Sequence, residues 1–233
     1  MLCLYLEAPF ATFRTFAAGS YRPSAGFITY SAAYGLLLNL AGIEMRHDDG
    51  ESLMTLIGHG LPRLRIALGA RHFPERQVLF QQLHNYPVGS SKPGKERAAA
   101  CKGAKYNITP VRRDVLTDIR AYVAVEADPA FASQVLKGLA GEAPRAYGLP
   151  FLGDNNFLID RLEPVETPDE AYWYEPVDAA NEPGLPDRIT RLTIAIDRAD
   201  MSKTVSGLFA PTAQKCQTIP ERAWVTVGYA GAA

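Results

Sequence analysis

The chain has 233 residues, of which 47% are hydrophobic and 21% charged, and its formal net charge at pH 7 is −1. This composition is ordinary for a globular protein with a sizeable core and excludes a disordered or fibrous chain. A net charge near zero also excludes a uniformly basic nucleic-acid binder. Any anion-binding function must therefore depend on how charge is distributed along the chain.

Neither the start of the chain nor its cysteines indicate export. Met1–Leu6 lacks the basic start and long apolar region of a signal peptide, and no apolar run approaches the roughly 20 residues of a membrane span. Cys3, Cys101 and Cys216 are odd in number and form no C-x-x-C pair. We therefore expect a cytoplasmic protein with reduced thiols, no zinc site, no cofactor and no membrane contact.

The first predicted elements are a strand and a helix. Leu2–Ala8 is apolar on both faces and is closed by Pro9, which predicts a central strand. Apolar residues then recur at helical spacing over 34–41, with Ser31 as the expected N-cap and Gly42 as the stop.

Between these two elements lies an acid-free, basic and aromatic loop. No Asp or Glu occurs from Ala8 to Ile43. Arg, Tyr and Ser ahead of a helix N terminus favour an anionic ligand that carries rings, and we interpret this ligand as RNA. The alternative is a set of ordinary loop residues, with Tyr34 in the core. The candidate RNA contacts are Arg14, Tyr21, Arg22, Ser24, Thr29, Tyr30, Ser31 and Tyr34.

The residues after Arg63 predict further strands and a second helix. Alternating apolar residues predict strands at 63–68, 77–84, 115–125 and 157–162. Asp128 is predicted to cap a helix that starts at Pro129 and ends at Gly141. Without the 63–68 strand, which we interpret as an accessory edge, the order is strand, helix, strand, strand, helix, strand. This order predicts an α+β, ferredoxin-like (RRM-like) fold.

A basic excursion separates the two middle strands. From His84 to Asp114, seven Lys and Arg residues stand against two acids. A long insertion rich in Gly and Pro is either a solvated, mobile hairpin or a functional protrusion. We interpret residues 85–113 as a β-hairpin thumb that neutralises phosphates. Its candidate contacts are Lys92, Lys95, Arg97, Lys102, Lys105, Tyr106, Arg112 and Arg113.

The predicted first domain, residues 1–163, is followed by a β-rich extension, residues 164–233. From Asp154 to Asp187, ten Asp and Glu residues stand against one Arg. Prolines in this acidic segment argue against regular structure, whereas Tyr172, Trp173 and Tyr174 indicate packing. Strands predicted at 189–196 and 224–229 would form a small C-terminal sheet. The scattered histidines have no metal-ligand spacing, so no metal site is expected.

Several blocks of the sequence resemble one known family. They are residues 4–16 (LYLEAPFATFRTF), 21–24 (YRPS), 31–38 (SAAYGLLL) and 145–153 (RAYGLPFLG) with Asn156 and Phe157. The early blocks resemble the N-terminal signature of the CRISPR-associated family-five proteins, which are RAMP-superfamily subunits of the type I Cascade effector. Within this family, the first block is most similar to the type I-B, or myxobacterial-type, subgroup. The last block resembles the family's later glycine-containing segment, and it adds Arg145 and Tyr147 as candidate RNA contacts.

The resemblance implies both a fold and a role. It implies a ferredoxin-like domain with a thumb hairpin that caps the 5′ handle of the CRISPR RNA as a non-catalytic subunit of an antiviral ribonucleoprotein. The implied partners are the CRISPR RNA, the large and backbone subunits of Cascade and, indirectly, the target DNA.

Two other functions stay open at this stage. The type I-C branch of the family is itself the ribonuclease that processes precursor CRISPR RNA, with a Tyr and an adjacent Lys–His pair. No Lys adjoins His84 here, which departs from that pattern. The alternative is therefore a metal-independent endoribonuclease that uses Tyr34 or Tyr106 with His84 and a nearby Lys. The third possibility is a scaffold whose basic face meets an acidic neighbour.

Overall fold

The computed structural model describes residues 1–15, 21–50, 55–83, 109–145, 148–178 and 187–229. Within them, ten strands form one sheet and two short strands form another. The strands are β1 (Leu2–Ala11), β2 (Tyr21–Arg22), β3 (Arg46–His47), β4 (Leu56–Ile57), β5 (Leu64–Ala70), β6 (Glu75–Leu83), β7 (Thr109–Glu126), β8 (Arg161–Val165), β9 (Tyr172–Pro176), β10 (Thr190–Ala195), β11 (Val205–Pro211) and β12 (Val225–Val227). The helices are α1 (Tyr30–Leu40) and α2 (Pro129–Leu139), with 3-10 turns at Met201–Lys203 and Glu221–Ala223.

The centre of the sheet confirms the predicted α+β, ferredoxin-like fold. Strands β8, β1, β7 and β5 are neighbours in that order, and each adjacent pair is antiparallel. The register opposes Leu4 to Val123 and Leu6 to Ala121. These side chains are fully buried in one cluster that includes residues of both helices. Hydrophobic burial between the sheet and the two helices therefore stabilises the domain.

The strand that lies beside β7 in the centre of the sheet is β5, whereas the sequence indicated the 77–84 strand, which corresponds to β6. β5 lies between β9 and β7, so the 63–68 segment belongs to the centre of the sheet and the prediction of an accessory edge was wrong. β6 instead pairs with the outer part of β7, from Glu75–Thr117 to Leu83–Thr109. Both segments alternate in hydropathy, and only long-range pairing distinguishes them.

Thr29, not Ser31, caps α1. The side chain of Thr29 accepts a hydrogen bond from the N–H of Ala32, and Tyr30 is already helical. The predicted cap of α2 is confirmed, because the Asp128 side chain accepts from the N–H of Ala130 and Pro129 follows. Gly138 brings the helices together: a Cβ atom there would lie 1.8 Å from the Leu40 carbonyl oxygen. Only glycine permits this approach.

β7 joins two parts of the molecule. Its inner part is paired on both sides, with β1 and with β5, and the outer part pairs with β6 and, in parallel, with β2. The two parts meet near Asp118, whose φ of 54° lies in the left-handed region. An L-residue with a side chain seldom adopts this conformation in a strand. The side chain of Asp118 contacts His72 and Arg120.

The C-terminal strands extend the main sheet. β9 pairs with β5 and β11, and β12 also pairs with β5, so the expected separate C-terminal sheet was wrong. The predicted packing of the acidic segment is confirmed, since Trp173 and Tyr174 are buried. Prolines do not prevent a strand here, because Pro176 ends β9.

The strand predicted at 157–162 begins later than expected, since β8 starts at Arg161. Cys3 and Cys216 are free thiols. The helices in the described part of the chain are too short or too polar to cross a bilayer.

Candidate nucleic-acid interface

Asp114 organises the region where the outer part of β7 meets the loop before α1. Its carboxylate is fully buried and accepts hydrogen bonds from the Tyr21 hydroxyl at 2.7 Å and the Ser24 N–H at 3.4 Å. Nη1 of Arg76 lies 3.6 Å from the same carboxylate. A buried carboxylate needs such partners, since an unpaired charge is costly to bury. Asp114 therefore fixes β2 and β6 relative to β7.

Ser24 has a structural position beneath the surface. Its hydroxyl accepts from the N–H of Phe13 at 2.9 Å and donates to the carbonyl of Ala25 at 3.0 Å. Arg14 and Ser24 also form an isolated antiparallel bridge. Because Ser24 is buried, it holds the backbone next to Arg14 and offers no hydroxyl to a ligand at the surface.

Arg113 and Asp154 form a largely buried ion pair behind this loop. The exposed fractions of their side chains are 5% and 13%. Burial alone would raise the pKa of Asp154, but the hydrogen bonds from Arg113 and from the Asn156 N–H hold it below its ordinary value. Gly153, with φ of 80°, makes the turn possible: a Cβ atom there would lie 1.5 Å from the Thr12 carbonyl oxygen. We call Arg113, Asp114, Asp154 and Ser24 the anchor.

Cationic side chains crowd around Arg14. Partial burial, followed by the positive charges of Arg22 and Arg113, lowers the pKa of Arg14, and Arg198 contributes in the same direction, whereas the carboxylate of Asp154 opposes this shift. The guanidinium of Arg14 is exposed and stays charged at neutral pH. Converging positive charges of this kind favour a bound anion.

A cleft of about 470 Å³ lies along the outer half of the β6–β7 pair. Two of its lining residues, Tyr21 and Arg112, directly precede Arg22 and Arg113 of this cluster in the sequence. Arg112 is opposite Phe80 in β6 and opposite Tyr21 in β2, so the three side chains lie in one row across the sheet. Phe80 is 67% exposed and Tyr21 is 47% exposed. The Asp114 hydrogen bond raises the pKa of Tyr21 and fixes its ring. We call Arg14, Tyr21, Phe80 and Arg112 the rim.

The rim has chemistry that suits single-stranded nucleic acid. Exposed aromatic rings stack on bases, and guanidinium groups contact phosphates. The acids at this place, Asp114 and Asp154, are buried against arginines. In the described residues, no three His, Cys, Asp or Glu side chains are grouped to hold a metal ion.

Several predicted contacts lie away from the rim. Tyr30 and Tyr34 are fully buried in the core, and Thr29 and Ser31 are buried at the start of α1. The Tyr34 hydroxyl donates to the carbonyl of Pro62 at 2.8 Å. The prediction that these four residues contact RNA does not fit their burial, because helical spacing alone did not separate the core face from the ligand face.

Arg145, a candidate RNA contact from the sequence, also lies away from the rim. Its guanidinium donates to the Gly138 carbonyl at 3.0 Å, at the C-terminal end of α2. This contact satisfies a helix-end carbonyl and is structural. The remaining candidates lie outside the described residues and stay predictions: Lys92, Lys95, Arg97, Lys102, Lys105, Tyr106 and Tyr147. The same holds for most of the predicted thumb, although its last residues, including Arg112 and Arg113, belong to β7.

Sequence reasoning missed Phe80, Arg76, Asp114 and Asp154. Phe80 is one apolar residue in an alternating strand, and such a residue normally faces a core. Asp154 opens a strongly acidic segment and reads as a solvated charge. The exposed polar residues around Phe80, Gln77 and Gln82, were the available signal that this strand leaves the core.

Solved structures with the same fold are CRISPR-associated proteins. A chain of a CRISPR RNA-guided surveillance complex superposes with a TM-score of 0.56 at 16% identity, over 94% of this chain and 91% of that one. A second structure, the crystal structure of a Cas protein, gives 0.50 at 13% identity, over 94% and 97%. These likenesses define the class of fold, an α+β fold of the ferredoxin-like kind.

The family model described as CRISPR-associated protein (Cas_Cas5) matches residues 1–202. The chain therefore belongs to the CRISPR-associated Cas5 family. No curated protein matches its sequence.

Proposed function

We propose that this chain is a non-catalytic RNA-binding subunit of a type I CRISPR RNA-guided surveillance complex. In this proposal it caps the 5′ handle of the guide RNA and anchors the large and backbone subunits, so that the complex can target DNA. The observation that carries the proposal is the rim, an open row of Tyr21, Arg112 and Phe80 beside an arginine cluster, in a chain of the Cas5 family.

The geometry favours single-stranded RNA over a duplex. The Tyr21 and Phe80 rings are exposed on one cleft, where an unpaired base can enter and stack. The opposite face of the central sheet offers less, because Tyr5, Tyr122 and Trp173 are buried there under the C-terminal segments. Bases would therefore stack at the edge of the sheet and not on its open face.

The type I-B subgroup is part of the proposal and rests on the N-terminal sequence blocks. The basic segment from Lys92 to Lys105, which lies between β6 and β7 in the sequence, is proposed to contact the RNA. Its charges would neutralise phosphates.

The endoribonuclease alternative has no specific observation in its favour. Burial raises the pKa of Tyr34, whose hydroxyl already donates to a backbone carbonyl, so this tyrosine is not placed to act as a base. His84 and Tyr106 lie outside the described residues. Incubation of the protein with repeat RNA in EDTA tests this alternative: a specific cut that His84→Ala abolishes would replace the proposed function.

The proposed function is tested by binding of labelled guide RNA to the full chain at several salt concentrations. Charge reversal of Lys92, Lys95, Arg97, Lys102 and Lys105 to Glu should weaken binding at least tenfold and reduce its salt dependence. The matched control reverses exposed lysines elsewhere, Lys137, Lys203 and Lys215. Equal RNA affinity of the reversed and control proteins would contradict the role of the basic segment.

A further inference from the structure

A second cleft, of about 240 Å³, lies between the start of β6 and the residues that lead into β10. Arg76 and Arg188 stand at its sides, and the buried Leu116 and Tyr174 form part of its lining. The sequence indicated neither arginine as a ligand contact.

An aromatic column supports Arg188. The rings of Tyr172 and Phe73 stack with centroids 4.6 Å apart, and the guanidinium carbon of Arg188 lies 4.3 Å from the Phe73 centroid. This contact orients the flat guanidinium group by cation–π attraction. Arg188 is exposed, so the column ends in a planar, charged layer that faces solvent.

The backbone at Arg188 is held in an unusual conformation. Its φ of 59° lies in the left-handed region, which a residue with a long side chain rarely adopts. Such a conformation persists only where the surroundings determine it, and it often occurs at binding sites. Here the chain is fixed two residues later, because the Thr190 hydroxyl accepts from the N–H of Gly26 at 2.9 Å.

The two arginines differ in their charge balance. Arg76 donates to the Ser24 carbonyl at 3.2 Å and lies 3.6 Å from the buried Asp114 carboxylate. None of the ion pairs between residues in the described ranges includes Arg188. The side chain of Arg76 is still 52% exposed. The cleft therefore keeps positive charge that an anion can neutralise.

The second cleft lies on the same side of β6 as Phe80 of the rim. Phe80 and Arg76 are four residues apart in β6, so their side chains lie on the same side of the strand, about 13 Å apart. Tyr21 and Asp114 connect the two places through their hydrogen bond. A single strand that stacks on Phe80 can therefore follow β6 towards Arg76 and Arg188.

We propose that the second cleft binds one further nucleotide of the RNA held at the rim, with its base stacked on the outer face of Arg188 and its phosphate against Arg76. This inference rests on the proposed function and extends it by a second stacking position. The Arg188 guanidinium would lie between the Phe73 ring and the base, an arrangement by which arginine recognises unpaired bases.

The test uses the full chain and fluorescently labelled single-stranded guide RNA, with affinities measured by anisotropy. Arg188→Gln should weaken binding about 5- to 10-fold, the effect of losing one stacked base and one charge contact. Arg188→Lys should keep the salt dependence but recover only part of the affinity, because it lacks the planar face. Arg191→Gln is the matched control, since Arg191 is exposed in β10 and hydrogen-bonds to Ser206.

A series of RNAs that each lack one base identifies the stacked nucleotide. In the wild-type protein, one abasic position should weaken binding several-fold, and in Arg188→Gln the same position should cost almost nothing, because the two changes remove one interaction. RNA binding that is equal in Arg188→Gln and Arg191→Gln would overturn this inference and leave the proposed function in place. Failure of the wild-type protein to bind RNA at any salt concentration would overturn both.

Discussion

Arg112 and Arg113 are neighbours in one strand, yet they belong to different regions with different physics. Arg113, in the anchor, is buried against Asp154, whereas Arg112, in the rim, faces an open cleft. Strand alternation sends consecutive side chains to opposite faces. An arginine in this strand can therefore stabilise the fold or contact a ligand. A shift of one position along the strand changes which of the two it does.

The largest expected effect is in the anchor. Asp154→Ala leaves the guanidinium of Arg113 buried without its partner, which typically costs about 3–5 kcal/mol of unfolding free energy. Urea denaturation followed by circular dichroism measures this loss. The control is Glu44→Ala, which breaks the exposed pair with Arg46 and should cost at most about 1 kcal/mol. Similar losses in the two variants would show that Asp154 is not part of an anchor.

The rim should show the opposite behaviour. Phe80→Ala removes a stacking surface and should weaken binding of single-stranded RNA by about 1–3 kcal/mol. The unfolding free energy should change little, because Phe80 is 67% exposed. Phe151→Ala, at another exposed aromatic, is the matched control. If Phe80→Ala instead unfolds the protein and leaves RNA affinity intact, the division between rim and anchor fails.

The stability of the anchor should depend on pH through Asp154. Since the pKa of Asp154 is lower in the folded chain than in the unfolded chain, its ionised form stabilises the fold above the unfolded pKa of about 3.9, and this stabilisation is lost as pH falls through the folded value. The stability difference between wild type and Asp154→Asn should be constant above about pH 5 and shrink below about pH 4. A difference that stays constant down to pH 2 would contradict this assignment.

The smallest effect is expected for a single charge at the rim. Arg14→Gln should lower the slope of log affinity against log salt by about one unit, as for the loss of one phosphate contact. Stability should change by less than about 0.5 kcal/mol. Lys137→Gln on α2 provides a charge-matched control, and an identical slope in the two variants would remove Arg14 from the rim.

Local signals in the sequence predicted α2 and the inner part of β7. Asp128, Pro129 and Gly141 define α2 by capping chemistry that depends on neighbouring residues only. The inner part of β7 is rich in β-branched and other apolar residues, which favour a strand. Which strand lies beside β7 was not predictable in this way. That choice depends on pairing between residues far apart in the chain, such as Leu68 with Val123.

The sequence predicted which stretch contains the candidate site, but it did not predict which residues of that stretch are buried. The acid-free stretch from Ala8 to Ile43 does contain the rim residues Arg14 and Tyr21. It also contains Tyr30 and Tyr34, which are core residues. Tyrosine suits both environments, since its ring can pack while its hydroxyl finds a carbonyl, and only the three-dimensional packing separates the two uses.

Asp118 lies at the place where β7 exchanges one of its two neighbouring strands. β6 pairs with β7 up to Thr117, and β5 takes over as its partner from Ala121. The residue between them holds the left-handed φ of 54°. On its other side, β7 stays paired with β1 across this residue, from Ala8–Ile119 to Ala11–Leu116. A β-branched residue there would disfavour the left-handed φ and strain the strand that carries Arg112, without replacing any rim residue. Asp118 can therefore affect the cleft although it does not line it.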